Sequence, residues 1–291
     1  MIISKITHGL GNQLFQYAIA RKLSIQRETP LYLDTRYYNH TYSTDTFRSF
    51  KLNKFNINFE SLDNSPALIY LSKSTKLFPN RSFPPFFKLV RDKQSTFEPD
   101  VLSAKSLFLY LSGFWQTEKY FDDVKDVLQK ELTLKVAESE QFKKYKEQIL
   151  AENSPVSLHI RRGDYVNNAQ FNDKFGFIGL DYYREAIKLF KEKKPDCKFF
   201  VFSDDLQWVK ENLDTGHDFT FIENTGENGD LEDLMLMRTC SHHVIANSSF
   251  SWWGAWLNPK PDKIVVAPAK WYNNLPDLNT SDLVPESWIR L

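Results

Sequence analysis

Hydrophobic and polar positions along the chain follow two periods in turn, and the switches between them predict the elements. "MIISKIT" (1–7) is rich in β-branched residues and reads as a strand, which "HGLG" (8–11) breaks. From Asn12 onward Leu14, Phe15, Ala18, Ile19 and Leu23 recur at helical spacing. "RETP" (27–30) stops that pattern and "LYLD" (31–34) opens a second strand. The result is a βαβ opening with a glycine turn at the helix N-terminus, where backbone N–H groups and the helix dipole face whatever occupies the cleft. "GLGN" is not the dinucleotide fingerprint G-x-G-x-x-G, because Leu14 stands where the third glycine belongs, and this disfavours a plain Rossmann oxidoreductase.

Residues 35–105 are rich in Asn, Ser, Phe and Pro, as in "SLDNSP" and "LFPNRSFPPFF". They read as long loops and short helices inserted in the first domain, either shaping an acceptor site or forming an irregular aromatic packing layer. A strand-like "SLFLYLSGF" (106–114) follows, then a helical segment (117–132) with Phe121, Val124, Val127 and Leu128 on one side. The charged stretch 135–155 looks like a solvated helix ending in a turn, so the domain boundary is set there, giving domains 1–150 and 151–291. Strands at 156–160, 198–205, 219–223, 242–247 and 263–268 then alternate with helices at 180–194, 206–213, 230–240 and 248–258. Such alternation predicts an α/β protein whose C-terminal domain is a doubly wound parallel sheet, with its ligands at the carboxyl edge.

Composition narrows the classes. A chain of 291 residues with 42% hydrophobic content can pack two ordinary domains. Lys+Arg and Asp+Glu both number 37, so no global field holds nucleic acid, and any anion site is local. Cys197 and Cys240 make no disulfide framework and read as reduced, buried thiols. The first 20 residues lack a continuous apolar stretch, and no segment approaches the ~20 apolar residues of a spanning helix. A cytoplasmic protein is expected, with peripheral membrane contact left open.

The strand ends of the second half are polar together: His159, Arg161, Arg162 and Asp164; Ser203, Asp204 and Asp205; Asn224 and Glu227; then Asn247, Ser248, Ser249 and Ser251. Any one Arg–Asp pair is ordinarily an internal ion pair. Several polar strand ends beside "SSFS", a helix cap with spare hydroxyls and N–H groups, point to phosphate oxygens, and with an arginine fork alongside, to a diphosphate. No metal is expected: Asp-x-Asp is absent, and His242 and His243 have no partner at zinc spacing. "SWWGAW" (251–256) is either helix core or, through Trp252 or Trp253, a stacking surface for a sugar.

"GLGNQLFQYA" (9–18), "HIRRGDYV" (159–166), "FSDD" (202–205) and "ANSSFSWWGAWLN" (246–258) together resemble the bacterial α-1,2-fucosyltransferases of glycosyltransferase family 11. The α-1,6- and protein O-fucosyltransferases are more distantly similar. The resemblance implies a two-domain GT-B-like enzyme with two Rossmann-like domains. It would transfer L-fucose from GDP-fucose to the 2-hydroxyl of a terminal β-galactoside, inverting the anomeric centre without a metal or other cofactor. A lipopolysaccharide repeat is the implied kind of acceptor. By position in the motifs Arg161 would meet the β-phosphate, with Arg162 supporting it and His159 touching the nucleotide or fixing the arginine loop. Asp204, Asn247, Ser248, Ser249 and Phe250 would line the donor. Gly11 and Asn12 would face the same diphosphate across the cleft, and Asp233 would read guanine N1–H and N2–H. Asp164 is the nearest candidate for a base, with a salt-bridge role holding its arginine neighbours as the other reading; His8 is the next candidate. Another GDP-sugar transferase, or a glycan-binding protein without turnover, are the rival readings.

Overall fold

The computed structural model describes residues 1–40, 48–77, 85–93, 96–163, 176–213, 218–273, 275 and 278–291. Asp164 lies outside them. The chain divides into two compact units, Met1–Lys135 with Asn279–Pro285, and Val136–Leu278 with Glu286–Leu291.

The first unit holds a sheet of five parallel strands: β1 (Ile2–Lys5), β2 (Leu31–Asp34), β3 (Glu60–Ser61), β4 (Phe87–Arg91) and β5 (Phe108–Ser112). Their order in space is β3-β2-β1-β5-β4. Helix α1 (Leu10–Gln26) packs on the sheet, starting at Gly9 as the glycine turn predicts and burying Leu14, Phe15, Ala18, Ile19 and Leu23. Within 35–105, read above as loops and short helices, the chain also adds β3, β4 and the helices α2 (Pro66–Leu77) and α3 (Pro99–Ser103) to the unit. "FKLVR" carries too few alternating apolar residues to announce β4, which pairs along its whole length with β5. Helix α4 (Lys125–Glu131) completes this stretch, preceded by two short 3₁₀ turns where a single helix was expected.

The second unit begins earlier than the sequence suggests. Helix α5 (Glu140–Ala151) buries Phe142, Tyr145 and Ile149 and packs on a later helix of the same unit. Its first turn is pinned there, because Glu232 accepts hydrogen bonds from both the backbone N–H and the hydroxyl of Ser139, each 2.9 Å. The boundary expected at 150/151 therefore moves to 135/136.

Six parallel strands follow: β6 (Pro155–Ile160), β7 (Lys198–Ser203), β8 (Phe219–Phe221), β9 (His242–Val244), β10 (Val265–Ala267) and β11 (Ile289–Arg290). They alternate with α6 (Leu180–Lys193), α7 (Leu206–Asn212), α8 (Gly229–Thr239) and α9 (Ser249–Trp256). Every residue of β6 is buried, as a near-continuous apolar run in a central parallel strand requires. The strand order, β11-β10-β9-β6-β7-β8, is that of a doubly wound Rossmann sheet, with the reversal of direction between β6 and β9. The core of this unit gathers Leu158, Ile160, Tyr183, Phe190, Phe199 and Val244 among others. Cys197 and Cys240 are free and buried, matching the expectation. Among the described residues no helix is long and apolar enough to cross a membrane.

Candidate functional site

The reversal between β6 and β9 is the place where an open α/β sheet leaves a crevice at its carboxyl edge. The loop after β6 and the N-terminus of α9 both arise there. Ser248 caps α9, its hydroxyl accepting from the Phe250 N–H at 3.3 Å. At the other end of α9 the Lys263 ammonium donates to the carbonyls of Ala255 and Asn258 at 2.8 and 2.7 Å, neutralising the negative pole. The positive pole at Ser249 and Phe250, both half-buried, is left facing the carboxyl edge.

The two arginines have different surroundings. Arg162 stacks its guanidinium 4.3 Å over the Trp208 ring and pairs with Asp205, whose carboxylate also caps α7. It is clamped between these two side chains. Arg161 pairs with Asp204 through one nitrogen at 3.2 Å. Asp204 in turn accepts from the Arg162 backbone N–H at 2.9 Å. The loop wraps this carboxylate closely: a Cβ on Gly163 would stand 2.8 Å from its Oδ2, so a larger residue there would have to push the carboxylate aside. Burial alone would raise the Asp204 pKa, but the Arg161 charge and the N–H donors of Arg162 and Gly163 outweigh it and hold the carboxylate ionised below its ordinary range.

Asp204 and Asp205 are ion-pair partners of the two arginines, and Asp204, expected to line the donor, holds the arginine loop. The salt-bridge and base roles considered for Asp164 lie outside the described residues. Asn247 is also a positioning residue. It is 1% exposed and donates to the carbonyls of Gly176 and Trp271, which ties the chain at these two residues to the start of α9.

His159, next to last in β6, is buried, with its ring 5.7 Å from that of Phe250. Burial and the adjacent Arg161 charge push its pKa down to about 3, so the imidazole is neutral across the physiological range. Its Nδ1 finds no hydrogen-bond partner among the described residues, an unusual state for a buried polar atom.

Asp233 sits near the start of α8, the helix that packs against α9. Burial, with Asp230 and Glu232 nearby, raises its pKa from 3.8 to about 7, against the opposing hydrogen bond from Asn224. That bond, Asn224 Nδ2 to Asp233 Oδ1, is 2.8 Å, and the Asn224 amide oxygen is buried without a partner among the described residues. The Asn224 amide thus orients the Asp233 carboxyl group.

Trp252 and Trp253 are fully buried, with Trp252 packed on Trp256 and Trp288 at 5.9 and 5.5 Å. Neither has a face left for a sugar, so the stacking role is withdrawn and the aromatic run is core. In the first unit, Gly11 is buried in the first turn of α1, and Asn12 Oδ1 accepts from Gln116 at 2.7 Å. His8 follows β1, in the loop before α1.

Sequence reasoning missed the buried glutamines of α1. Gln16 donates to Thr7 Oγ1 and the Gly113 carbonyl and accepts from the Thr7 N–H, while Gln13 holds the carbonyls of His8 and Ser49. Gln13 and Gln16 flank the apolar Leu14 and Phe15 in the buried first half of the helix, and that placement is the signal that could have revealed them.

The family model of glycosyl transferase family 11 matches residues 95–290. This chain belongs to that family. It is 36% identical to an α-1,2-colitosyltransferase of Escherichia coli over all of this chain and 99% of that protein. It is 32% identical to the O-antigen biosynthesis glycosyltransferase WbnK of Escherichia coli over 99% of each. Among solved structures it resembles a variant of Arabidopsis thaliana FUT1 in complex with GDP, with a TM-score of 0.53 at 12% identity, over 91% of this chain and 69% of that one. The family makes the protein a glycosyltransferase, and the fold is that of GT-B-like enzymes, as expected from the sequence.

Proposed function

We propose that this glycosyltransferase moves L-fucose from GDP-fucose to the 2-hydroxyl of a terminal β-galactoside, inverting the anomeric centre and requiring no metal. The observation that carries the reading is the pairing, at the β6–β9 reversal, of Arg161 with the Ser248-capped N-terminus of α9. A guanidinium and a helix N-terminus suit a diphosphate, and both gain most when charge builds on the leaving oxygen. Neutral His159 adds a hydrogen-bonding ring without adding charge, and the Asp233 carboxyl group, oriented by Asn224, matches the N1–H and N2–H donors of guanine. Asp204 and Asp205, the adjacent acidic pair nearest the phosphates, are both committed to arginines, so cationic side chains take the place of a metal bridge.

In the reaction the acceptor O2 forms a bond to C1 as the bond from C1 to the β-phosphate oxygen breaks. Arg161 stabilises the departing diphosphate and a base takes the O2 proton. Asp164 and His8 are the candidates for that base. The acceptor is a galactose-terminated glycan of the lipopolysaccharide kind, in keeping with the relative named for O-antigen biosynthesis.

The full-length likeness to a colitosyltransferase supports a second donor reading. Colitose is fucose without its 3-hydroxyl, so a site that hydrogen-bonds that group rejects colitose strongly, by about 10⁴-fold. The test incubates the protein with lactose and either GDP-fucose or GDP-colitose, with and without EDTA, and determines the linkage formed. An α-1,2-fucosylated product insensitive to EDTA is expected. Transfer from GDP-colitose alone replaces the donor, and loss of activity in EDTA overturns the metal-free mechanism.

A further inference from the structure

The first unit has a strand-order reversal of its own. Its sheet runs β3-β2-β1-β5-β4, so the crevice at its carboxyl edge opens between the loop after β1 and the loop after β5. Both loops are strained. Among the described residues three non-glycine positions have positive φ, and two of them, His8 (63°) and Trp115 (58°), lie in these two loops. The third, Glu28, merely closes the turn after α1. A left-handed non-glycine residue persists only where its surroundings over-determine it, and such residues collect at ligand sites.

The surroundings here are specific. The His8 carbonyl accepts from Gln13 Nε2 at 3.0 Å and from the Tyr38 hydroxyl at 2.8 Å. The Asp92 carboxylate accepts from the N–H groups of Phe114 and Trp115 at 3.1 and 2.9 Å. Asp92 reaches them because Gly113 has no side chain; a Cβ there would overlap the Asp92 Cβ at 2.1 Å.

The consequence is a reversal of the usual disposition of aromatics. Trp115 turns inward and is 1% exposed, whereas Phe114 is turned out and is 39% exposed. The His8 ring stacks on Tyr37 at 5.2 Å and meets Phe114 edge-on at 5.0 Å. Three rings from three successive strand ends form a stepped, half-exposed shelf. The exposed Phe114 ring is held by a backbone that Asp92 and the left-handed Trp115 fix in place.

We propose that this shelf is the subsite for the acceptor sugar, with Phe114 and Tyr37 as stacking surfaces. The inference rests on the reading of the protein as a transferase acting on galactosides. A β-galactoside has an axial O4, which leaves H3, H4 and H5 together on one face of the ring. That apolar face matches a phenyl surface in size and is removed from water on stacking.

The test uses the full chain without donor. Saturation-transfer NMR with methyl β-D-galactopyranoside is expected to show the strongest transfer at H3, H4 and H5. Phe114→Ala and Tyr37→Ala are expected to weaken binding about tenfold, while Phe114→Tyr retains it. GDP affinity, measured by calorimetry, stays at the wild-type value in all three and reports that each variant is folded. Undiminished saturation transfer in Phe114→Ala overturns the proposal, as does a wild type that binds GDP but gives no transfer to the galactoside. Because no donor is present, a failure of the fucosyl-transfer reading appears separately, as absence of product in the transfer assay.

Discussion

At the reversal in the second unit, the chain places two guanidiniums, each held against an aspartate, beside a capped helix N-terminus. At the reversal in the first unit, it places three aromatic rings on loops that carry two left-handed residues. Both crevices come from the same topological device, a change in the direction in which a parallel sheet is wound. On the proposed reading, the difference lies in what each crevice binds. A diphosphate leaving group needs fixed positive charge that strengthens as the bond breaks. A neutral sugar offers C–H faces and hydroxyls, and a rigid apolar step is the better receptor. Carboxylates have opposite uses at the two sites: Asp204 sets the direction of a charge, whereas Asp92 fixes the backbone that presents a ring.

The comparison breaks most readily at Arg161. Removing one preorganised donor at a developing charge typically costs ~3–4 kcal/mol, or about 10²–10³ in rate. Arg161→Ala is therefore expected to lose kcat by that factor, with a lesser drop in melting temperature because Asp204 loses its counter-ion. Arg162→Ala, which empties the clamp between Trp208 and Asp205, is expected to show the reverse, a lower melting temperature with a smaller loss of rate. Steady-state kinetics beside thermal melts decide it. If Arg161→Ala unfolds early and keeps its rate, the second crevice is an internal ion-pair network and the contrast between the two units disappears.

A smaller effect is expected at Gly113. Gly113→Ala forces its new Cβ into Asp92, and overpacking of this kind costs roughly 1–3 kcal/mol. Denaturant unfolding should register that loss. Galactoside binding should weaken with it, since Asp92 can no longer hold the Phe114 and Trp115 N–H groups, while GDP affinity is unchanged. Equal weakening of both ligands would mean that the loop supports the whole fold rather than the shelf.

The two crevices also differ in how far the sequence announces them. The β6 loop is legible because its chemistry is consecutive: strand, arginine pair, glycine and aspartate stand in one run, and the helix cap "SSFS" repeats the polar strand-end pattern. What the run does not contain is the identity of the partners. Asp204 and Asp205 lie more than 40 residues away, brought in by the parallel pairing of β6 with β7, so nearness in sequence does not point to them. The shelf is illegible for a related reason. Its rings come from three separate strand ends, and nothing in "HGLG" or "GFWQ" says that the backbone turns left-handed at a histidine and a tryptophan. Trp252 and Trp253 were misleading because helical spacing identifies a face without saying what covers it, and here the neighbouring helix and Trp288 cover it completely. The doubly wound order itself followed from the αβ alternation, since right-handed crossovers leave few ways to arrange such strands.

The most delicate way to sharpen the contrast is pH. Asp233 is an acid whose pKa burial raises from 3.8 to about 7. The folded apoprotein therefore holds this proton where the unfolded chain has lost it. Its stability should fall as pH rises from about 4 to about 7 and level off above, the sign required when the native state binds more protons. Guanine imposes the opposite demand, because its N1–H and N2–H donors need an ionised carboxylate and a protonated one presents a competing donor. Binding of GDP-fucose, whose diphosphate diester has no proton titrating in this range, should strengthen as pH climbs through about 7 and then plateau. Asp233→Asn should remove both steps, leaving weaker, pH-independent donor binding and an apoprotein more stable than wild type above neutrality. Galactoside binding to the shelf, which contains neither Asp233 nor its neighbours, should not follow this step at all. Calorimetric titrations of GDP-fucose and of methyl β-D-galactopyranoside across the same pH series make the comparison directly. A donor affinity that is flat through neutrality in the wild type would detach Asp233 from guanine and leave its raised pKa a property of the α8 packing alone.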